Sequence, residues 1–460
     1  MKQNRWDATC VILAFGTVLM VTMASAQTYS VLYNFDGVHG QSPSYPNNLI
    51  QGIDGNLYGM TASGGTNESG VLFGMTPDGQ FHVLYNFDGV HGSTPGGLSL
   101  GSAGVIYGVA ESGGAHNYGT LFGITPAGQV SLFYNFLGCA EGGYPMTAPI
   151  EVSNGTFYGT TLEGCQNEWS GSAYKLDTAG HFTSFGPIIV GGGTFAPFVQ
   201  AGGYLYSTTV FGGGDGSAFR MSPDGTMTTI YSFCQHGCSG GAQPSGPLIV
   251  GNDNYLYGTT PTGGNQSGEG VVFKLSPSGD ETVLHSFTGG DDGGEPISGV
   301  MLASDRNYYG ITLKSGQFGY CGIVYRITPK SNFSTVFTFD CSQSGSSTVL
   351  MQHTNGLLYG MTSYGGLYYP DGVIYSLDLG LPPFVRLTQG TGRPGSSGGI
   401  LGQGFIGTTS VTFNGVPAKF TVVSDTFIEA VVPADATTGY VTVTTTSGVL
   451  NSNAVFRVIQ

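Results

Sequence analysis

A position that recurs seven times in the sequence holds the side chains best suited to chemistry. It lies seven residues before a recurring tyrosine, and its members are Gln51, Leu100, Glu151, Val199, Val250, Leu302 and Gln352. Glu151 is the one carboxylate of this set, and His353, next to Gln352, could approach it across a channel. Glycoside hydrolysis ordinarily uses two carboxylates. We therefore interpret Gln51, Glu151, Gln352 and His353 as the polar lining of a channel.

Six cysteines beyond residue 26 form the second chemically reactive set. They are Cys139, Cys165, Cys234, Cys238, Cys321 and Cys341. An even number is typical of a disulfide framework in an oxidising compartment, and six cysteines allow fifteen connectivities. A zinc site needs four clustered ligands, whereas these cysteines fall in three separate parts of the repeat described below. The simplest pairing is local, without metal: Cys139–Cys165, Cys234–Cys238 and Cys321–Cys341.

Other motif matches are better explained by the abundance of glycine, serine and aspartate. Residues 390–395 fit G-x-G-x-x-G, but Pro394 opposes the helix that a dinucleotide site requires. Residues 395–399 fit G-x-S-x-G without a strand-to-helix turn around the serine. Loops at Asp88-Gly89 and 291–295 could offer oxygen ligands to calcium, yet they lack regular ligand spacing and suit Asx turns better. No cofactor is predicted, with calcium as the open alternative.

The elements that must position these residues follow a repeat of about 50 residues. Three aromatic columns have one member in each of seven segments. The first column is Tyr58, Tyr107, Tyr158, Tyr206, Tyr257, Tyr309 and Tyr359; the second is Phe73, Phe122, Tyr174, Phe219, Phe273, Tyr325 and Tyr375; the third is Phe35, Phe87, Phe136, Phe185, Phe233, Phe287 and Phe339. Such a fixed period is the signature of a repeat architecture. Rings that fill the space between sheets explain the columns better than a ligand does.

Each segment is predicted to form four short antiparallel strands, A to D. In the first segment they cover 48–51, 56–61, 71–76 and 81–87, with Asp-Gly turn signals between A and B and between C and D. Four such strands per repeat are typical of a β-propeller blade. The third column starts before the first tyrosine, so residues 29–35 are expected to complete the seventh blade and close the ring. The glycine after most tyrosines is expected to let a neighbouring backbone approach.

The two faces of the predicted ring differ. The A–B and C–D turns on one face are short, and the B–C and D–A loops on the other, the long-loop face, are long. Seven aromatic residues stand in B–C loops outside the three columns: Tyr118, Trp169, Phe318, Tyr320, Tyr364, Tyr368 and Tyr369. Flat rings in surface loops suit sugar faces or protein hot spots, and Glu111, Glu163, Glu168 and Asp371 nearby could accept hydrogen bonds. The alternative is that the rings fold down as lids over the blade ends.

Residues 1–26 have the pattern of a secretory signal peptide. Lys2 and Arg5 precede an almost wholly apolar run from Cys10, and 24–26 is an Ala-Ser-Ala cleavage site. An uncleaved anchor is the alternative, although the apolar run is short for a membrane span. Cleavage changes the net charge from −15 to −16, with 11 basic and 27 acidic residues left. This charge argues against nucleic acid and anionic membranes as partners, and we expect a secreted monomer without membrane insertion.

The repeat resembles a known family. The pattern Leu-Tyr-Gly-x-Thr, the following Gly-Gly, Gly-Val-Val-Phe-Lys-Leu-Ser-Pro-Ser-Gly at 270–279 and Leu-His-Ser-Phe at 284–287 are similar to the GloVer (Gloeo/Verruco) tandem repeat. The resemblance covers roughly residues 29–379. It implies a secreted or surface protein of a bacterium and no particular biochemical activity.

A second domain is expected after Leu381-Pro382-Pro383, where the repeat stops. The chain becomes rich in Val and Thr, with alternation at 411–413 and 440–444, and short strands of this kind suit an immunoglobulin-like sandwich. Residues 413–418, 424–426, 432–433 and 454–456 resemble an IPT/TIG domain. The resemblance implies a spacer or adhesion module.

These patterns predict an all-β protein with a seven-bladed β-propeller at 27–380, closed by the N-terminal strand, and an immunoglobulin-like β-sandwich at 381–460. The favoured function is that of a secreted, non-catalytic binding or adhesion protein. Its ligand would be a glycan or another protein, recognised on the long-loop face. The alternative is a carbohydrate-active hydrolase or lyase that uses the central channel.

Overall fold

The computed structural model describes most of the chain as strands and loops. It covers residues 27–43, 49–125, 128–139, 141–153, 155–163, 170–188, 192–211, 214–235, 237–315, 319, 321–341, 347–368 and 371–459. These ranges contain 39 strands and no helix, so none of them offers a helix long and apolar enough to cross a membrane. Glycine contributes 80 residues and costs about 1 kcal/mol against alanine inside a helix. The predicted signal peptide, residues 1–26, lies outside the described ranges.

Seven antiparallel sheets account for residues 28–378. In the first six sheets, strands A to D pair in chain order. These strands are Leu49–Gln51, Leu57–Ser63, Val71–Met75 and Phe81–Asn86; Ser93–Leu100, Ile106–Ser112, Thr120–Ile124 and Val130–Asn135; Ile150–Ser153, Thr156–Thr160, Ser172–Asp177 and Phe182–Pro187; Val199–Ala201, Tyr204–Thr209, Ser217–Met221 and Met227–Ser232; Ile249–Val250, Leu256–Thr260, Val271–Leu275 and Glu281–Ser286; and Val300–Leu302, Tyr308–Ile311, Ile323–Ile327 and Phe333–Thr338. A fifth strand, Gln41–Pro43, pairs with strand B of the first sheet.

The seventh sheet takes its outer strand from the start of the chain. Its strands A to C are Ser347–Gln352, Leu358–Thr362 and Val373–Asp378. Thr28–Asn34 pairs antiparallel with Val373–Asp378, so that Tyr29 lies opposite Leu377. The expected pairing of the N-terminal strand is confirmed.

Seven hydrophobic clusters join the sheets into a closed, propeller-like ring. Each cluster combines side chains of two consecutive sheets, as Tyr58 of the first sheet does with Phe122 of the second. Further clusters continue this contact through the seventh sheet. The last cluster packs Phe73 of the first sheet with Tyr359 of the seventh. The aromatic columns are therefore core residues between neighbouring sheets.

The third column needs one correction, in the third sheet. Phe185 is only partly buried, whereas Ile188 is 1% exposed and donates its N–H to the carbonyl of Gly171. Phe87 makes the equivalent bond to Gly70, so Ile188 and not Phe185 stands at the column position. The gap between sheets requires a buried apolar side chain there, and an aliphatic one serves.

The glycine after most first-column tyrosines makes room for a ring. A Cβ atom on Gly59 would lie 2.3 Å from Cζ of Phe73 on the paired strand. At the equivalent glycine of each sheet that has one, the nearest atom also belongs to the second-column side chain. The expected close backbone approach occurs at Gly360, where a Cβ would lie 2.6 Å from the carbonyl oxygen of Val349. It also occurs at the following diglycine, where a Cβ on Gly64 (φ +78°) would lie 2.5 Å from the carbonyl oxygen of Gly37.

A C-terminal unit, residues 385–458, has its own core. One sheet pairs Arg386–Leu387, Ser397–Leu401, Phe427–Val431 and Lys419–Ser424; a second pairs Val416–Pro417, Ser410–Phe413, Val441–Thr445 and Gly448–Asn451; Thr391–Gly392 and Arg457–Val458 pair in parallel. Ile400 and Ile428 of the first sheet share one cluster with Val411 and Val443 of the second. The two sheets therefore pack face to face.

Two of the three expected disulfides are confirmed. Cys234 is bonded to Cys238, and Cys321 to Cys341. Both lie in loops of the long-loop face. Cys165 lies outside the described residues, so its pairing with Cys139 stays a prediction.

We expect peptide mapping of the unreduced protein to recover a cross-linked peptide that joins Cys139 to Cys165. The sequence places both cysteines near the third segment of the repeat, and they are the two of the six cysteines that the confirmed bonds leave. Reduction and repeat mapping is the control, and it should release both peptides. A link from Cys139 to any other cysteine, or an alkylated Cys139, contradicts the assignment.

Gly59→Ala is expected to lower the free energy of unfolding by about 1–3 kcal/mol, because overpacking a core displaces its rings. Urea unfolding followed by circular dichroism measures the loss. Gly398→Ala is the control, since a Cβ on Gly398 meets nothing within 4 Å and should change stability by less than about 0.5 kcal/mol. Equal stability of Gly59→Ala and the wild type would refute the ring-over-glycine explanation.

Candidate binding site

The polar residues predicted to line the channel connect neighbouring sheets. Gln51, Glu151 and Gln352 each accept a backbone N–H from the A–B turn of the preceding sheet, at 3.1, 2.5 and 2.8 Å. The backbone donors are Thr354, Ser102 and Ser304, in that order. The side-chain hydroxyl of each donor residue forms a second hydrogen bond with the same partner, Gln51, Glu151 or Gln352. Gln51 and Gln352 are buried. We call these three paired contacts the inter-sheet clamps.

His353 is fully buried, and both ring nitrogens have backbone partners. Nε2 lies 2.9 Å from the carbonyl oxygen of Gly55, and Nδ1 accepts the N–H of Asn355 at 3.1 Å. This pattern assigns the neutral tautomer with its proton on Nε2, and burial lowers the pKa of His353. His353 thus joins the first and seventh sheets and forms no acid–base pair with Glu151.

The C-terminal unit covers the short-turn face of the ring. Thr426 Oγ1 donates to the carbonyl of Ile53 at 2.7 Å, in the first sheet's A–B turn. Asn453 donates to the carbonyl of Leu302 at 2.7 Å, and Arg457 donates to a turn carbonyl of the fifth sheet at 2.6 Å. Glu151 lines a cleft at this junction. The short-turn face of the ring therefore faces the C-terminal unit.

The D–A loops of the long-loop face are held by local hydrogen bonds. Residues 36–40 and 88–92 share the sequence Asp-Gly-Val-His-Gly. Asp36 accepts the N–H of His39 and contacts its Nδ1, both at 2.8 Å, and the second loop repeats both contacts. Burial raises the pKa of Asp36. The hydrogen bonds from His39 outweigh burial and hold this pKa below its usual range. The valine at each loop tip projects into solvent.

Exposed apolar side chains of the ring concentrate on this face. We call the set the apolar arc: Val38, Val90, Tyr118, Leu137, Phe211, Leu367 and Tyr368. Its members lie on loops from the seventh sheet through the first to the fourth. Leu367 is 80% exposed. The other exposed large apolar residues of the described ring are Val31 and Leu132 on D strands and Tyr204 at the start of a B strand. The arc therefore marks one face of the ring.

The structure describes three of the seven predicted aromatic residues. Tyr368 is exposed, and Tyr364 is partly buried. Tyr118 is 36% exposed and packs edge-on against Tyr144, with ring centroids 5.6 Å apart. The others, Trp169, Phe318, Tyr320 and Tyr369, lie outside the described residues. Of the residues that sequence reasoning missed, Val38 and Val90 carried a signal, the duplicated Asp-Gly-Val-His-Gly.

The acidic residues near these loops have protein partners or shifted pKa values. Burial, followed by the charge of Glu163, raises the pKa of Glu111, and burial followed by the charge of Asp36 raises that of Asp371. Glu168 lies outside the described residues. These carboxyl groups can exchange hydrogen bonds with a polar ligand.

Carboxylates of the candidate calcium loop at 291–295 bond to protein donors. Asp292 accepts the N–H of Thr288 at 3.1 Å and contacts Nε2 of His285 at 3.0 Å. Glu295 pairs with Lys314 at 2.7 Å. Among the described residues, one group has metal-ligand spacing, Asp215 with Cys234 and Cys238, and its cysteines are joined in a disulfide.

Comparison with known proteins identifies a repeat family. The model of the Gloeobacter/Verrucomicrobia repeat matches residues 13–171, 103–290 and 191–416. No curated protein matches the chain. Similar solved structures include a luciferin-regenerating enzyme (14% identity, 63% of this chain and 93% of that chain, TM-score 0.40). Another is the PQQ-bound aldose sugar dehydrogenase of Streptomyces coelicolor (15%, 62% and 93%, TM-score 0.42). Likeness at this level says nothing about the activity of this chain.

Acidification is expected to destabilise the protein through His353. Burial holds the folded-state pKa of His353 below the usual histidine value of about 6.5, so the unfolded chain binds a proton first as the pH falls. The contribution of neutral His353 to the free energy of unfolding is complete above about pH 6.5, and it is lost as the pH falls below that value. Thermal unfolding between pH 8 and 5 measures this, and His353→Gln, which keeps an amide donor without titrating, should show a smaller fall. Parallel curves for both proteins would exclude His353 as the cause.

Proposed function

The chain belongs to the Gloeobacter/Verrucomicrobia repeat family, and we propose that it is a secreted, non-catalytic binding or adhesion protein. Its ligand is a glycan or another protein, recognised on the long-loop face. In this proposal the seven sheets are the blades of a seven-bladed β-propeller at 27–380. The C-terminal unit is an immunoglobulin-like domain of the IPT/TIG type at 381–460, and residues 1–26 are a signal peptide.

One-sided exposure of apolar side chains carries the proposal. The apolar arc places seven of the ten exposed large apolar residues of the described ring on the long-loop face. Burying apolar surface stabilises a complex by about 25 cal/mol per Å² before the cost of association, and grouped apolar residues on a surface mark interaction sites. The Asp–His bonds and the diglycine contacts hold the loops in place, which lowers the entropy cost of binding.

The channel chemistry supports binding over catalysis. The carboxylate of Glu151 accepts the N–H and the hydroxyl of Ser102 and the N–H of Gly155, at 2.5, 3.0 and 2.7 Å. Three donors fix this carboxylate as a structural acceptor, and His353 is bound to backbone groups. A carbohydrate-active hydrolase or lyase, the second candidate, would need Glu151 as an acid or base.

The disulfides support secretion. Cys234–Cys238 and Cys321–Cys341 persist in oxidising compartments and are rare in the cytosol. Both pairs brace loops of the long-loop face, the face proposed to meet the ligand. A ligand outside the cell is the corollary.

Retention of the purified mature protein on immobilised polysaccharides and on candidate protein ligands tests the proposal. Leu367→Ser and Tyr368→Ala should weaken retention about tenfold without lowering thermal stability, and Trp169→Ala and Tyr369→Ala should act in the same way. Tyr204→Ala, an exposed aromatic on the short-turn face, is the matched control and should bind normally. Unchanged retention in all four of these variants would refute the proposal that the long-loop face binds the ligand. Product release that disappears in Glu151→Gln would establish the hydrolase or lyase instead.

A further inference from the structure

A cleft of about 460 Å³ opens between the ring and the C-terminal unit. Turns of the second and third sheets form one wall, with Tyr107, Glu151 and Thr178. The first sheet of the C-terminal unit forms the other wall, with Ser397 and Glu429. A second cavity of about 260 Å³ shares Glu151 and reaches the A strands of the fourth and fifth sheets at Val199 and Val250. Both volumes together are in the range of small-molecule sites.

A tyrosine hydroxyl group lies at this cleft without the acceptor that three other sheets provide. In the first, fifth and sixth sheets the first-column tyrosine donates to an aspartate four residues earlier, at 2.7, 2.8 and 2.9 Å. The second sheet has Ala103 at that position, so Tyr107 lacks this acceptor. Tyr107 is the most exposed member of its column, at 7%. Burial, followed by the charge of Glu151, raises its pKa, so the phenol is a hydrogen-bond donor at neutral pH.

The two carboxylates restrict the ligand class. Glu151 and Glu429 lie on opposite walls, and the described lining of the larger cavity includes no lysine or arginine. Phosphate, sulfate or uronate groups would be repelled there. A divalent cation is poorly served, because three protein donors already occupy the oxygens of Glu151. Tyr107 is the one aromatic residue among the described residues of the larger cavity's lining, so a large apolar ligand gains little.

From this arrangement we infer that the cleft binds a neutral oligosaccharide. Sugar hydroxyl groups can donate to the exposed carboxylate of Glu429 and accept from the hydroxyls of Tyr107, Thr178 and Ser397. A Cβ on Gly398 would meet nothing within 4 Å, so the wall beside Ser397 is open enough for a sugar ring. The site needs both the ring and the C-terminal unit. It does not depend on the long-loop face, and either site can fail without the other.

Isothermal titration of the mature protein with cellohexaose, xylohexaose and mannohexaose tests the inference. At least one of these probes should bind. Glu429→Gln should weaken that binding about tenfold, the value of one hydrogen bond to a charged group. Gly398→Tyr, which fills the open wall, should abolish it. Asp435→Asn removes the same charge from an exposed site of the C-terminal unit outside the cleft and should bind as the wild type does.

Several results would overturn the inference. No binding of any of the three neutral probes does so, as does binding that Glu429→Gln and Gly398→Tyr leave unchanged. Stronger binding of the anionic hexagalacturonate would show that the charge argument is wrong, and stronger binding of the cationic chitosan hexamer would show that the ligand is not a neutral sugar. Loss of hexasaccharide binding in Tyr368→Ala would move the site to the long-loop face.

Discussion

Each sheet of the ring has two apolar faces, and each face is covered by a neighbouring sheet. An open row of such sheets would leave an apolar face uncovered at both ends. The cluster that joins Phe73 to Tyr359 removes those ends, and the pairing of Thr28–Asn34 with Val373–Asp378 completes the last sheet across the two ends of the repeat region. The aromatic columns, the glycines beneath their rings and the inter-sheet clamps all serve this mutual burial.

Mutual burial determines where ligand chemistry can occur. Polar side chains on the inner strands form the hydrogen bonds of the inter-sheet clamps, as Gln51 and Gln352 do. His353 forms its hydrogen bonds with backbone groups. A buried polar group without partners is costly, so the repeat uses these side chains to satisfy turns. Reactive or binding groups are left at the loops and where the C-terminal unit meets the ring.

The two faces of the ring have different partners. On the short-turn face, side-chain bonds such as that of Thr426 to Ile53 hold the C-terminal unit. On the long-loop face the apolar arc has no such cover within the described residues. The chain therefore combines a rigid scaffold with one open face and one cleft between units. The binding function proposed above would therefore assign a different kind of ligand to each of these two places.

The sequence by itself determined the period of the repeat, the strands to within a few residues, the closing N-terminal strand and two disulfides. These features depend on local patterns of apolar residues and turns, which a single chain displays directly. Only the tertiary structure decided that Ile188 replaces Phe185 in the column, that Gln51 and Glu151 bind turns of other sheets, and that Glu429 lies across a cleft from Glu151. Periodicity records which side chains are buried, but it carries no information on which distant residue lies opposite them. A few hydrogen bonds between turns that are distant in the sequence determine which residues lie opposite one another, and no local sequence pattern predicts those bonds.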